Sequence, residues 1–151
     1  FIEKSFQNAV REGVWKALEE GLEYAVADTR IVFVDADYDS VTSTPADYRR
    51  LAPLVVRKAL RQAGVIKLEP VMSYRLFAPS GCEKRLMGRL ANMQASIDDV
   101  GYNGDELEIS GQVPFDTAKE FQVELKSMTG GMGIFEMEFL EYRRCRQEGN
   151  G

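Results

Sequence analysis

"ASIDDVGYNGDELEISGQVPF", residues 95–115, decides the fold of this chain. Asn103-Gly104-Asp105 is hairpin chemistry, because Asn and Gly accept the positive φ that tight two-residue turns demand. The flanks, "ASIDDVGY" and "ELEISGQVPF", therefore read as two antiparallel strands. Upstream, "LEPVMSYRLFAP" (68–79) is a strand, and Pro79-Ser80-Gly81 turns it into a helix at "CEKRLMGRLANM" (82–93). Downstream, "DTAKEFQVELKSMTGG" (116–131) is a second helix with Asp116 placed as its N-cap. Phe121, Leu125 and Met128 recur at helical spacing and form its core stripe. "GIFEMEFLEYR" (133–143) closes the series as a strand with Phe135, Met137 and Phe139 alternating. The order β-α-β-β-α-β is the split-βαβ, ferredoxin-like arrangement, a complete small domain.

The residues before it form no such closed set. In "FIEKSFQNAVREGVWKALEEG" (1–21), Phe6, Val10, Val14, Ala17 and Leu18 follow the spacing of an amphipathic helix that Gly21 stops. "TRIVFV" (29–34) is rich in β-branched residues and predicts a strand buried on both faces. Thr44, Pro45 and Asp47 then spell a helix start: a capping hydroxyl, a proline at the first helical position and an acid at the third. Tyr48, Leu51, Ala52, Val55, Ala59 and Leu60 continue as its apolar face, Pro53 predicts a kink or the start of the helix's regular part, and Gly64 ends it. Helix, strand, helix cannot close a core, so further strands from more sequence or another chain are expected. An exposed strand edge would favour a dimer of the isolated piece. The final "EGNG" (148–151) reads as a frayed tail.

A net charge of −5 with no histidine narrows the chemistry. Zinc sites of the usual kind, Cys–His nucleophiles and Ser–His triads are excluded, and Cys82 and Cys145 are too far apart for a CxxC motif. Two isolated cysteines fit inert residues in a reducing, cytoplasmic setting. No apolar run approaches the roughly 18 residues that span a bilayer, and no secretory leader is visible, so no membrane partner is expected. The chain starts at Phe1 rather than Met and reads as a piece of something longer. Asp35, Asp37 and Asp39 open like a calcium loop, but Ser40 and Ala46 stand where glycine and glutamate are needed. "GGMG" (130–133) precedes a strand and lacks the following Lys-Ser/Thr, so it is a turn and no phosphate loop. No catalytic constellation and no metal site emerge.

Two domains in this order, joined at "LEP" (68–70), resemble the C-terminal end of a translational GTPase of the elongation factor G superfamily. "VMSYRLFAP" (71–79), "VPF" (113–115), "LKSMTGG" (125–131) and "MEFLEY" (137–142) carry the likeness in the last domain. "SFQNAV" (5–10) and "STPADYRRLAPLVVRKAL" (43–60) look more like the tetracycline ribosomal protection proteins than the translocase. "ELKSMTGGMGIFEMEFLEY" (124–142) leans toward the translocase instead, and Val41-Thr42 replaces the proline of the protection proteins' loop tip.

The resemblance implies an α+β chain. Residues 1–66 would be the latter part of domain IV, a partial segment like domain 2 of ribosomal protein S5. Residues 67–151 would be the ferredoxin-like domain V with a short tail. It implies a ribosome-binding fragment of a tetracycline-resistance-type GTPase, or alternatively of an elongation factor G-like translocase. GTP and magnesium would belong to an upstream domain, leaving this piece no cofactor and no enzymatic activity of its own. The partners implied are small-subunit rRNA at the decoding centre and the factor-binding region of the large subunit. Tyr38, Asp39, Ser40, Val41, Thr42 and Ser43 would form the rRNA-binding tip, small and hydroxylated enough to enter an RNA pocket. Arg50, Arg57 and Arg61 recur on one helical stripe that suits a phosphate backbone.

Overall fold

The split-βαβ pattern puts β1 (Leu68–Pro79) at the centre of a four-stranded sheet. In this computed structural model, which describes residues 2–146, β1 pairs antiparallel with both β3 (Glu106–Pro114) and β4 (Ile134–Arg144). β2 (Asp99–Asn103) pairs with β3, giving the order β2-β3-β1-β4. The two-residue turn Gly104-Asp105 joins β2 to β3, with Gly104 at φ 61°. Helices α3 (Glu83–Asn92) and α4 (Phe115–Met128) connect the strands and bury Leu86, Leu90, Phe121 and Leu125 against Leu76, Leu107 and Ile109. The Phe135 ring stacks near Tyr74 at 5.4 Å and meets Phe121 edge-on at 5.1 Å. Each such buried side chain contributes on the order of 1.5–3 kcal/mol.

Two expectations for this region change. Asp116 lies inside the first turn of α4 and does not cap it; Pro114 holds the cap position, and Thr117 Oγ1 donates to carbonyl oxygens of Pro114 and Met93. The acid still faces the positive helix end, so it contributes through charge and not through a cap bond. Phe139 is half exposed at 52% and packs on Tyr142, not in the core. It sits opposite Met72, immediately before a register shift that leaves Leu140 unpaired, on a strand that lies at the edge of the sheet among the described residues.

The chain divides into two compact units, up to Val65 and from Ile66. In the first, α1 (Lys4–Glu20) and α2 (Pro45–Ala63) pack together. Ala9, Gly13 and Ala17 keep α1 slim, and a Cβ on Gly13 would lie 2.8 Å from the Cβ of Ala52 and 3.0 Å from Pro53. Pro53 therefore lies inside a continuous helix as a buried contact with α1, and no helix end marks it. The buried face of α2 is Pro53, Val56 and Leu60; Leu51, Val55 and Ala59, read as core from spacing, are exposed. α2 carries apolar residues on two sides, and α1 covers only one of them.

"TRIVFV" is not a strand here. Among the described residues up to Val65 no strand forms, and Val32 and Val34 are 61% and 81% exposed. β propensity cannot create a strand without a ladder to satisfy its backbone groups. The "EGNG" tail lies outside the described residues.

Close backbone approach makes Gly111 the sharpest test of the sheet. A Cβ there would fall 2.0 Å from the Ser96 carbonyl oxygen and 3.1 Å from the Tyr74 hydroxyl, which itself donates to Ser96 O at 2.7 Å. Burial pushes the Tyr74 phenol up to about 12, with Asp98 adding to it, so its hydroxyl stays a donor until strongly alkaline pH. Gly111→Ala is expected to destabilise the second unit by at least about 2 kcal/mol. Urea unfolding followed by near-ultraviolet circular dichroism checks this, and an unchanged midpoint contradicts it.

Candidate functional site

The segment between residues 38 and 44 closes on itself through one carboxylate. Asp39 Oδ1 accepts from the backbone N–H groups of Val41 at 2.9 Å and Thr42 at 2.8 Å. Asp39 N–H donates to Ser43 Oγ, and Ser43 N–H donates back to Asp39 O, both at 3.0 Å. Asp39 and Ser43 are thus the clasp of the loop, while Ser40, Val41 and Thr42 form its tip. Val41 is 89% exposed. An apolar side chain left so bare at a closed tip has no packing role in this unit.

The exit is fixed separately. Thr44 N–H donates to Asp47 Oδ2 at 2.9 Å, Asp47 N–H donates to Thr44 Oγ1 at 3.4 Å, and the Thr44 hydroxyl donates to Asp47 Oδ2 at 2.8 Å. This is the reciprocal capping box, built with Asp in place of the usual Glu. The entry is held by aromatic packing. Phe6 of α1 meets the Tyr38 ring and the Tyr48 ring edge-on, each at 5.1 Å, and the Tyr48 hydroxyl donates to Asp37 O. Tyr38 is therefore committed to Phe6 on one side and 41% exposed on the other.

Hydrogen bonds hold both acids below their ordinary value of 3.8. For Asp39 the donors are the backbone N–H groups of Thr42 and then Val41. For Asp47 they are the Thr44 hydroxyl and backbone, with the Arg50 charge a smaller aid.

The arginines divide by partner. Arg57 is paired with Glu20 of α1 and its side chain is only 24% exposed, so it ties the two helices together. Arg50 leans on Asp47 at 3.3 Å with 80% of its side chain in solvent. The Arg61 side chain has no partner among the described residues and is exposed. Arg49, outside the expected stripe, bonds Glu12 at 2.6 Å. Among the described residues no group of three or more His, Cys, Asp or Glu is placed to hold a metal. No helix among them is long and apolar enough to cross a membrane.

Reading the loop as small and hydroxylated missed the clasp formed by Asp39 and Ser43. Asp followed four residues later by Ser is a recognisable local turn signature, since both side chains bond nearby backbone N–H groups.

Comparison with known proteins adds what geometry does not. Residues 1–64 match the family model for elongation factor G, domain IV, and residues 66–150 match that for the elongation factor G C-terminus. Tetracycline resistance protein TetP of Clostridium perfringens is 34% identical over 148 residues, 97% of this chain and 23% of that protein. TetM from transposon Tn1545 of Enterococcus faecalis is 35% identical over 94% of this chain and 22% of its own length. TetO of Campylobacter coli is 35% identical over 95% of this chain and 22% of its own length. The chain thus spans less than a quarter of these relatives. A protein of known structure from Thermus thermophilus, ttk003000868, superposes with a TM-score of 0.77 at 23% identity, covering 95% of this chain and 22% of that one, and shares the fold.

Because the folded acids titrate below 3.8, the loop clasp and the cap contribute fully above that pH and are lost as pH falls through the lower folded values. The amides of Val41 and Thr42 should lose their shifted resonances on acidification below pH 3.8. Thr44→Ala should cost about 1 kcal/mol at neutral pH. Amide NMR from neutral to strongly acid pH and a denaturation curve measure the two; loop amides indifferent to acid would contradict the clasp.

Proposed function

This chain belongs to the elongation factor G family, through its domain IV and C-terminal regions, and from that premise we propose that it is the ribosome-directed part of a tetracycline-resistance-type translational GTPase. Residues 1–66 act as the latter part of domain IV and 67–151 as domain V. The parent protein supplies GTP hydrolysis and magnesium from another domain and works in the cytoplasm. The tip of the 38–43 loop enters the decoding centre of the small subunit and releases the drug, while domain V faces the factor-binding region of the large subunit.

One observation carries this reading. The loop is closed by Asp39 and Ser43, clamped by Phe6 at entry and capped by Thr44 at exit, yet presents Ser40, Val41 and Thr42 to solvent. A probe ordered before it binds loses little contact energy to ordering on binding. A slim tip of hydroxyls and one valine suits contact with riboses and base faces. Arg50 and Arg61, both in solvent, are placed to meet phosphates; Arg57 gives its charge to Glu20 and serves the fold first.

A translocase-like role is the second reading, favoured by the elongation factor G C-terminal match over residues 66–150. Drug resistance separates the two. The full-length gene in a tetracycline-sensitive host should raise the inhibitory drug concentration. Replacing Ser40, Val41 and Thr42 with glycine in that protein should abolish the rise while leaving the melting temperature within a degree or so, as exposed substitutions do. A tip variant with full resistance would make the loop a mere turn, and translocation without resistance would favour the second reading.

Taken by itself, the chain leaves Val32, Val34, Leu51, Leu54 and Val55 uncovered in its first unit. Apolar side chains left in water drive association. Sedimentation equilibrium of the isolated chain should show a concentration-dependent dimer, and a strict monomer at all concentrations would contradict that.

A further inference from the structure

We infer that residues 30–35 of one copy of this chain add as a parallel strand to the open edge of β4 in a second copy. The exchange is reciprocal and gives a closed two-fold dimer. It goes beyond the ribosomal role above and does not depend on it.

Donor and edge each lack what the other offers. From Thr29 to Asp39 the chain has no regular structure and no positive φ, so it reaches strand geometry without strain. Its apolar side chains are bare, with Val32 61% and Val34 81% exposed. β4 runs for 11 residues along the edge of the sheet among the described residues. Phe139, Leu140 and Tyr142 on it are 52%, 44% and 64% exposed. An extended apolar segment and an open strand edge are the two halves of strand addition.

Charge fixes both direction and register. With Val32 beside Leu140, a parallel alignment brings Arg30 beside Glu138 and Asp35 beside Arg143. Ile31 and Val34 then lie beside Phe139 and Tyr142. Reversing the segment over the same residues sets Arg30 against Arg143 and Asp35 against Glu138, two like-charge contacts. A slip of one residue either way loses one or both of the opposite-charge pairs. The Arg30 and Glu138 side chains are exposed and make no ion pair among the described residues, so both are free to pair. Arg143 is held by Glu141 and Gln112 but keeps 45% of its side chain in solvent.

The register shift at Leu140 bends β4, and a bulged edge resists pairing with unmatched strands. Opposite charges at both ends favour this one partner over a chance strand. A second copy carries donor and edge together, so reciprocal exchange uses each once per chain and leaves neither open.

Sedimentation equilibrium of the 151-residue chain at low salt tests the contact through a charge-swap cycle. E138R and R30E should each weaken the dimer about tenfold, since each altered pair occurs twice in it. R30E/E138R should return the dissociation constant to within about threefold of that of the unaltered chain. R85E, at an exposed arginine of α3, should change nothing. Amide hydrogen exchange at Val32 and Val34 should slow as chain concentration rises. Raised salt should weaken the dimer, as it screens exposed charges. The substituted residues are all exposed, so near-ultraviolet circular dichroism should show the fold intact. A dimer indifferent to E138R and R30E, held by Leu51, Leu54 and Val55 alone, overturns the proposal while leaving association itself in place. So does a double variant no tighter than the single ones, a monomer at every concentration, or assembly that grows past two copies. Exchange at Val32 and Val34 that ignores concentration overturns it as well.

Discussion

A β-strand exists only where its N–H and C=O groups find a ladder, and that requirement separates the two halves of this chain. From Leu68 on, β1 meets partners on both sides, so every other strand has a template and both helices have a face to cover. Up to Val65, "TRIVFV" is richer in β-branched residues than β1 but has no ladder among the described residues, and it remains without regular structure. Local preference is the same kind of signal in both places; pairing decides which becomes a strand.

The same contrast explains how much of the fold the sequence announced. Asn103-Gly104-Asp105 fixed a hairpin by turn chemistry alone, and the elements around it followed in order. The missed details were tertiary. Phe139 continued a perfect alternation, yet among the described residues it stays half exposed on the edge strand β4. Leu51 and Val55 obeyed helical spacing as well as Val56 and Leu60 did. Which stripe of α2 is buried depends on where Gly13 lets α1 approach, and helical periodicity contains no information about that.

The candidate site was legible at its ends and obscure in the middle. Thr44-Pro45-Ala46-Asp47 is a cap in any context, because its bonds run between residues three apart. Tyr38 read as part of the tip, and its perpendicular contact with Phe6, far away in sequence, was not visible from spacing. Arg57 was indistinguishable from Arg50 and Arg61 by spacing; only the position of Glu20 on the neighbouring helix marks it as an internal tie. Basic stripes read from one helix therefore overcount the charges free for a partner.

These details sort the loop by what each residue would lose in solution. Asp39, Ser43, Thr44 and Asp47 already have their hydrogen bonds, so a ligand gains nothing further from most of those groups. Val41 gains the most from being covered, since its side chain is almost wholly in water and burying a valine is worth about 1.5–3 kcal/mol. The hydroxyls of Ser40 and Thr42 exchange one set of hydrogen bonds for another and contribute mainly direction, each on the order of 1 kcal/mol at best. The loop is therefore weak as an adhesive and strong as a gauge: it fits a pocket of the right depth and earns little anywhere else. Bulk affinity for a large assembly has to come from other surfaces, which is why unpaired arginines elsewhere on the chain matter to a reading that begins at this tip.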